Sequence, residues 1–221
     1  MNVRLAISLA AALSASTPVA LHAATFTRYF DRAAFNNAAG KVALESFNTI
    51  PAGTSLSTAL DVGAFTIKET QFGDYGGGSR IAGGSTTGNI NGTNFIAASL
   101  YDGSASYGSY LTFTFDAPIT AFGGNWASGA INNIYLDVLG EKLDQNVPST
   151  GGFFGFVSDT PFTTIVMRAR ASNHGAALDN LTYSVGSGAV PEPASWAMML
   201  GGFGIVGGTL RARRKPSLTF A

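Results

Sequence analysis

The run "YLTFTFDAP", Tyr110–Pro118, alternates with period two. Leu111, Phe113 and Phe115 fall on one side and Thr112 and Thr114 on the other, which predicts a strand with one face on a core and one toward water. Pro118 cannot donate to a ladder and predicts the end of that strand. "TTIVMRARA", 163–171, repeats the logic, with Ile165, Met167 and Ala169 on one side and Val166, Arg168 and Arg170 on the other. Seven more short runs have the same character: "KVALESF", "GAFTIKE", "TNFIAAS", "ITAFGGNW", "NIYLDVLG", "GFFGFVS" and "LDNLTYSV". Strands this short, separated by many of the chain's 28 glycines, predict an all-β fold, a jelly-roll-like antiparallel β-sandwich.

One short N-terminal helix is expected in "FDRAAFNNAAG", 30–40, where Asp31 can cap the first turn and Gly40 can end it. The span from Phe72 to Asn94 is glycine-rich and reads as a long loop. No internal repeat is visible, which excludes a solenoid or propeller.

Both ends of the chain read as targeting elements. Arg4, the uncharged run Leu5–Leu13 and the small residues Ala23 and Ala24 have the order of a secretory signal peptide over 1–23. Cleavage is expected after Ala23, with Ala24 as the near alternative. Residues 24–189 then form the ectodomain. It has no cysteine, so it must be held by its core alone, and it offers no thiolate metal site. Residues 24–190 carry eight Lys or Arg against twelve Asp or Glu, a net charge of −4. A mildly acidic domain is a poor partner for nucleic acid.

At the other end, "ASWAMMLGGFGIVGGTL", 194–210, is seventeen residues without a charge. As a helix it is about 26 Å long, enough for a transmembrane span. Arg211, Arg213, Arg214 and Lys215 follow as a basic stop that stays cytoplasmic, with residues 216–221 as a tail. The expected topology is an inner-membrane anchor with the ectodomain outside.

Catalytic chemistry finds few residues. His22 and His174 are the only histidines, and the first leaves with the signal peptide. That excludes a multi-histidine zinc site and a Cys/His nucleophile from the mature chain. No G-x-S-x-G elbow is present, and His174, in "ASNHGAA", is expected on an exposed turn. Glycoside hydrolysis needs only two carboxylates close in space. Asp137, Glu141, Asp144, Asp159 and Asp179 are the candidates. Asp179 shares a strand parity with Leu181, Tyr183 and Val185, which predicts a carboxylate on the core side. Such a group must be hydrogen-bonded, paired or metal-bound. It caps loop amides or pairs with an arginine, or it is a calcium ligand beside loop carbonyls. Calcium is the only cofactor these residues raise. Trp126, in "GGNWASG", sits among small residues that would leave its ring open. With Tyr101 and Tyr107 it is a candidate sugar-stacking platform, the alternative being that Trp126 fills the core.

The segment "VPEPASWAMMLGGFGIVGGTLRARRK", 190–215, resembles the PEP-CTERM sorting signal of exopolysaccharide-producing Gram-negative bacteria. Pro191, Glu192 and Pro193 match its motif, and the apolar run and basic cluster follow in order. The resemblance implies a membrane-embedded exosortase as partner, processing near the motif, and delivery to the cell surface or matrix. The extra "PSLTFA" at 216–221 departs from the pattern. The same kind of region is also labelled an ice-binding-protein C-terminal domain. Within the ectodomain, "FDRAAFNNAAG", "VALESFN", "GGFFGFVSDTPFTTIVMRA" and "ALDNLTY" resemble β-sandwich domains that precede such signals. The expectation is therefore a non-enzymatic surface or matrix protein that binds exopolysaccharide. Its rivals are a polysaccharide-degrading enzyme, an ice-binding protein and a plain membrane-anchored protein.

Overall fold

The computed structural model describes residues 23–73, 78–84, 90–101, 108–127, 134–144, 151–170 and 174–186, together with 202 and 203. The expected signal peptide lies outside them, as do Tyr107, the sorting motif, the basic cluster and nearly all of the expected span 194–210. No helix among the described residues is long and apolar enough to cross a membrane.

Eleven strands and one helix follow in chain order: β1 (Phe26–Tyr29), α1 (Arg32–Ala39), β2 (Val42–Glu45), β3 (Leu60–Asp61), β4 (Phe65–Phe72), β5 (Arg80–Ala82), β6 (Phe95–Leu100), β7 (Gly108–Ala127), β8 (Ile134–Val138), β9 (Glu141–Asp144), β10 (Gly152–Ala169) and β11 (His174–Ser184). Every pairing is antiparallel. β5 gives a strand inside the span read as loop.

Two strands organise the molecule. β7 has 20 residues and β10 has 18, and each joins two of the short runs seen in the sequence. Pro118, expected to end its strand, lies within β7 instead, and Pro161 takes the matching place in β10. Around Pro118 and Pro161 the β7–β10 ladder is interrupted, with register shifts between Val157, Phe162 and Thr164, so the missing proline amide costs no ladder bond. Side chains serve the freed backbone there. Ser184 Oγ accepts from the amides of Thr120 (2.8 Å) and Ala121 (3.1 Å), and Ser158 Oγ accepts from the Thr160 amide at 3.1 Å.

Each half of the bent pair belongs to a different layer. The first half of β7 and second half of β10 sit in an open sheet, ordered β3-β4-β7-β10-β8-β9. Their other halves sit in a covered sheet, where β7 lies between β10 and β11, and β11 is flanked on its far side by β6 and β2. The layers face each other across one apolar core. Phe65 and Phe115 of the open sheet meet Tyr183 of the covered sheet, with ring centroids 5.5 and 5.3 Å apart. Leu111, Phe113, Ile165 and Met167 are all fully buried in it, as their alternation predicts. The result is an antiparallel sandwich.

Helix α1 closes the outside of the covered sheet. Asp31 Oδ1 accepts the Ala34 amide at 2.8 Å, and the Gly40 amide returns to Asn36 O at 3.1 Å with φ +74°, so both caps stand where the sequence puts them. Phe35, fully buried, packs on Ala121 and Phe153. Glycine makes the room: a Cβ on Gly155 would lie 2.8 Å from the Phe35 ring and 3.1 Å from Gly123.

Candidate functional site

Trp126 is 1% exposed and donates its Nε1 proton to Phe154 O at 3.1 Å. An enclosed ring presents no face to a sugar, so the open-platform reading of Trp126 is corrected. Its small neighbours serve close backbone packing. Tyr101, just past β6, is half-buried and bridges to Ser109 in the first half of β7.

Asp179 is buried, as expected, but on the other side of its sheet. A bulge between Asp179 and Thr182, with Asn180 at φ +50°, breaks the alternation. Leu178 and Leu181 therefore both enter the main core, and Asp179 lies opposite Asn125 under the segment holding Asn91 and Thr93. Its Oδ1 accepts the Asn180 amide at 2.5 Å and its Oδ2 accepts from Thr93 Oγ1 at 3.4 Å. Arg32 of α1 reaches the same place. It donates to Thr182 Oγ1 (2.6 Å), Asn125 Oδ1 (2.9 Å) and Asn180 O (3.2 Å), with its guanidinium 4.8 Å from the Phe153 ring centroid. Burial pushes the Asp179 carboxyl above its ordinary value, and the hydrogen bonds and Arg32 partly offset this. Burial likewise lowers Arg32, with Asp179 opposing. A carboxylate supplied with donors and a guanidinium is poorly suited to a cation. Among the described residues no three His, Cys, Asp or Glu stand together. The donor set does not fit calcium at Asp179.

A second buried carboxylate escaped the sequence reading. Glu69 continues the inward parity of Phe65 and Ile67, is 2% exposed, and accepts from the Ser79 amide, Ser79 Oγ (2.8 Å) and Gln71 Nε2 (2.7 Å). Hydrogen bonding to backbone and side chain accounts for its burial. Of the five candidate carboxylates, Asp137, Glu141 and Asp144 share the β8–β9 hairpin, with Asp137 and Asp144 on its outer face and Glu141 opposite Val138 on the other. Asp159, which accepts the Thr25 amide, and Asp179 lie elsewhere. Asp144 is ion-paired with Arg170. The side chain of His174, at the start of β11, lies outside the description.

The outer face of the open sheet is different in kind. Three rows of outward residues cross it in register. Thr66, Thr114 and Thr164 form the first; Lys68, Thr112, Val166, Asp137 and Lys142 the second; Thr70, Tyr110, Arg168, Tyr135 and Asp144 the third. Every one of these side chains is half-buried or exposed. The Arg168 guanidinium lies 4.3 Å from the Tyr110 ring centroid, while Lys142 and Arg170 lie 5.2 and 5.0 Å from that of Tyr135. Rings and cations thus brace one another across the third row. The strand parity of Tyr110, Arg168 and Arg170 was visible in the sequence. Their adjacency is a property of register, which alternation alone does not give. A cleft of about 370 Å³ at the sandwich end, lined by Phe115, Pro118, Ile119, Tyr183 and Val185, is mainly apolar and gathers few polar groups.

With this geometry in view, the comparisons with known proteins are brief. The model described as the PEP-CTERM protein-sorting motif matches residues 189–215. No curated protein matches the chain. Among solved structures, the K2 cleaved adhesin domain of Lys-gingipain is 14% identical, with a TM-score of 0.36, over 65% of this chain and 99% of that one. A mutant of CBM29-2, a family 29 carbohydrate binding module, is 18% identical, with a TM-score of 0.31, over 54% of this chain and 93% of that one. At such scores the fold rests on the strand pairing itself. The matched motif sets the class: an exported, exosortase-sorted surface protein of the Gram-negative type. More particularly, the chain carries the PEP-CTERM sorting motif at 189–215, behind a β-sandwich ectodomain.

Proposed function

We propose that this chain is a surface or matrix protein whose ectodomain binds polysaccharide without cutting it, at the outer face of the open sheet. The observation that carries this reading is the row of Tyr110, Arg168 and Tyr135, flanked by threonine hydroxyls, on a face every residue of which meets solvent. Polysaccharides are held by aromatic and polar groups spread along a flat surface, since an extended polymer offers repeated hydroxyls and pyranose faces. The non-enzymatic half rests on the carboxylates. Asp144 is engaged by Arg170, and Asp179 is beneath the opposite face. In the membrane, the segment 194–210 anchors the chain with Pro191, Glu192 and Pro193 just outside, where exosortase reads them.

Two experiments test the reading. Replacing Pro191, Glu192 and Pro193 with alanine should hold the protein in the inner membrane; unchanged delivery to the surface refutes the sorting role. Incubating the full chain with the host exopolysaccharide should give co-sedimentation and no new reducing ends. New reducing ends would make it a hydrolase. The ice-binding alternative has one row of three threonines in its favour, but Lys68, Val166 and Arg168 break any hydroxyl lattice in the rows beside it. Thermal hysteresis by the purified chain would reverse that preference.

A further inference from the structure

We infer that the polysaccharide bound by the open face is anionic, a carboxylate-bearing polymer read by Arg168 and Lys68; this rests on the binding reading above. Of the eight basic residues in 24–190, a stretch of net charge −4, Lys68, Lys142, Arg168 and Arg170 belong to this one face. Two of the four are balanced locally. Arg170 pairs with Asp144, the one ion pair among the described residues, and Lys142 stands opposite Asp137. Lys68 and Arg168 remain as positive charge facing solvent.

Their placement suits a repeating anion. Lys68 lies opposite Thr112 on β7, and Val166, two residues before Arg168 on β10, lies opposite the same Thr112. The two cations are thus two strands apart and two residues out of register, about 12 Å between backbones. That is too far for one small anion and within reach of successive acidic units along one chain. Arg168 is also held in place. Stacked 4.3 Å from the Tyr110 centroid, its guanidinium keeps the planar edge free for the two parallel hydrogen bonds that a carboxylate accepts. Asp61 stands opposite Thr66 at the edge of the threonine row and Asp116 lies beyond that row, so among the described residues the face carries its positive charge toward the other end.

The test uses the full chain in non-ionic detergent with two probes: the host exopolysaccharide, native and after chemical reduction of its carboxyls, and polygalacturonate. Native polymer and polygalacturonate should bind, with carboxyl reduction weakening binding about tenfold, the size expected for one charged hydrogen-bonded contact. Arg168→Ala should weaken binding of both acidic polymers about tenfold and abolish the difference between native and reduced polymer. Lys68→Ala should act in the same direction, and Arg168→Lys should recover part of the loss. Arg28→Ala, an exposed cation on the covered sheet's edge strand, should change nothing. Equal binding of native and reduced polymer, or an equal loss in Arg28→Ala, overturns the anionic assignment and leaves polysaccharide binding standing. Failure to bind any of the polymers overturns both, as does capture by phosphatidylglycerol vesicles in place of polysaccharide.

Discussion

The two outer faces of this sandwich are built from the same two long strands and meet opposite fates. On the covered sheet, α1 lays Phe35 over Gly155 and brings Arg32 to Asn125 and Thr182, while the segment holding Asn91 and Thr93 covers Asp179. On the open sheet, the same β7 and β10 expose Tyr110, Thr112, Val166 and Arg168 to solvent. Polar groups on the first face answer to one another, and their job is to let a helix and a loop dock without stranding a charge. Polar groups on the second are stacked and oriented but only partly neutralised. The proposed ligand surface is marked by that surplus, and polarity alone does not mark it.

Breaking the cover should cost most. Phe35→Ala empties a fully buried site and should lower unfolding stability by about 3 kcal/mol, read by denaturant titration, while polysaccharide binding measured well below the melting point stays intact. If binding fell in parallel in the folded variant, the two faces would not be independent.

Arg32→Met sharpens the same contrast through pH. It removes one influence that lowers the Asp179 carboxyl, which burial already holds above its ordinary value of 3.8. A raised carboxyl stabilises the fold below its unfolded value, and that contribution is lost as pH rises through the folded value. The variant should therefore be destabilised by about 2 kcal/mol near neutrality and by less near pH 4. A pH-independent deficit would show that Arg32 acts by packing on Phe153 and not by charge. The smallest effect belongs to the open face: Asp144→Asn breaks an exposed ion pair with Arg170 and should change stability by less than about 0.5 kcal/mol, yet strengthen binding to acidic polymer by freeing a cation.

Much of the scaffold was legible because its signals are local. Asp31 and Gly40 announce α1, and the parity of Leu111, Phe113 and Phe115 assigns the core face. What escaped depends on distant partners. Pro118 reads as a strand end, and becomes a bend because the partner strand interrupts its ladder at the same level, beside Pro161. Asp179 reads as core-facing until the bulge at Asn180 reverses its side. Trp126 seems exposed among glycines, whereas Gly123 and Gly124 allow backbone and Leu178 to close around it. The aromatic row of the open face needs three strands in register before Tyr110 and Tyr135 stand on either side of Arg168.

The long strands also fix how the molecule carries load. If the open face grips a polymer as proposed, the pull enters on β10 and β7, and the described strands end at Ser184 of β11. Because β7 is one continuous strand through both layers and is hydrogen-bonded to β11, strain passes along β7 and across that ladder. Load on the open sheet is thereby shared with the covered one.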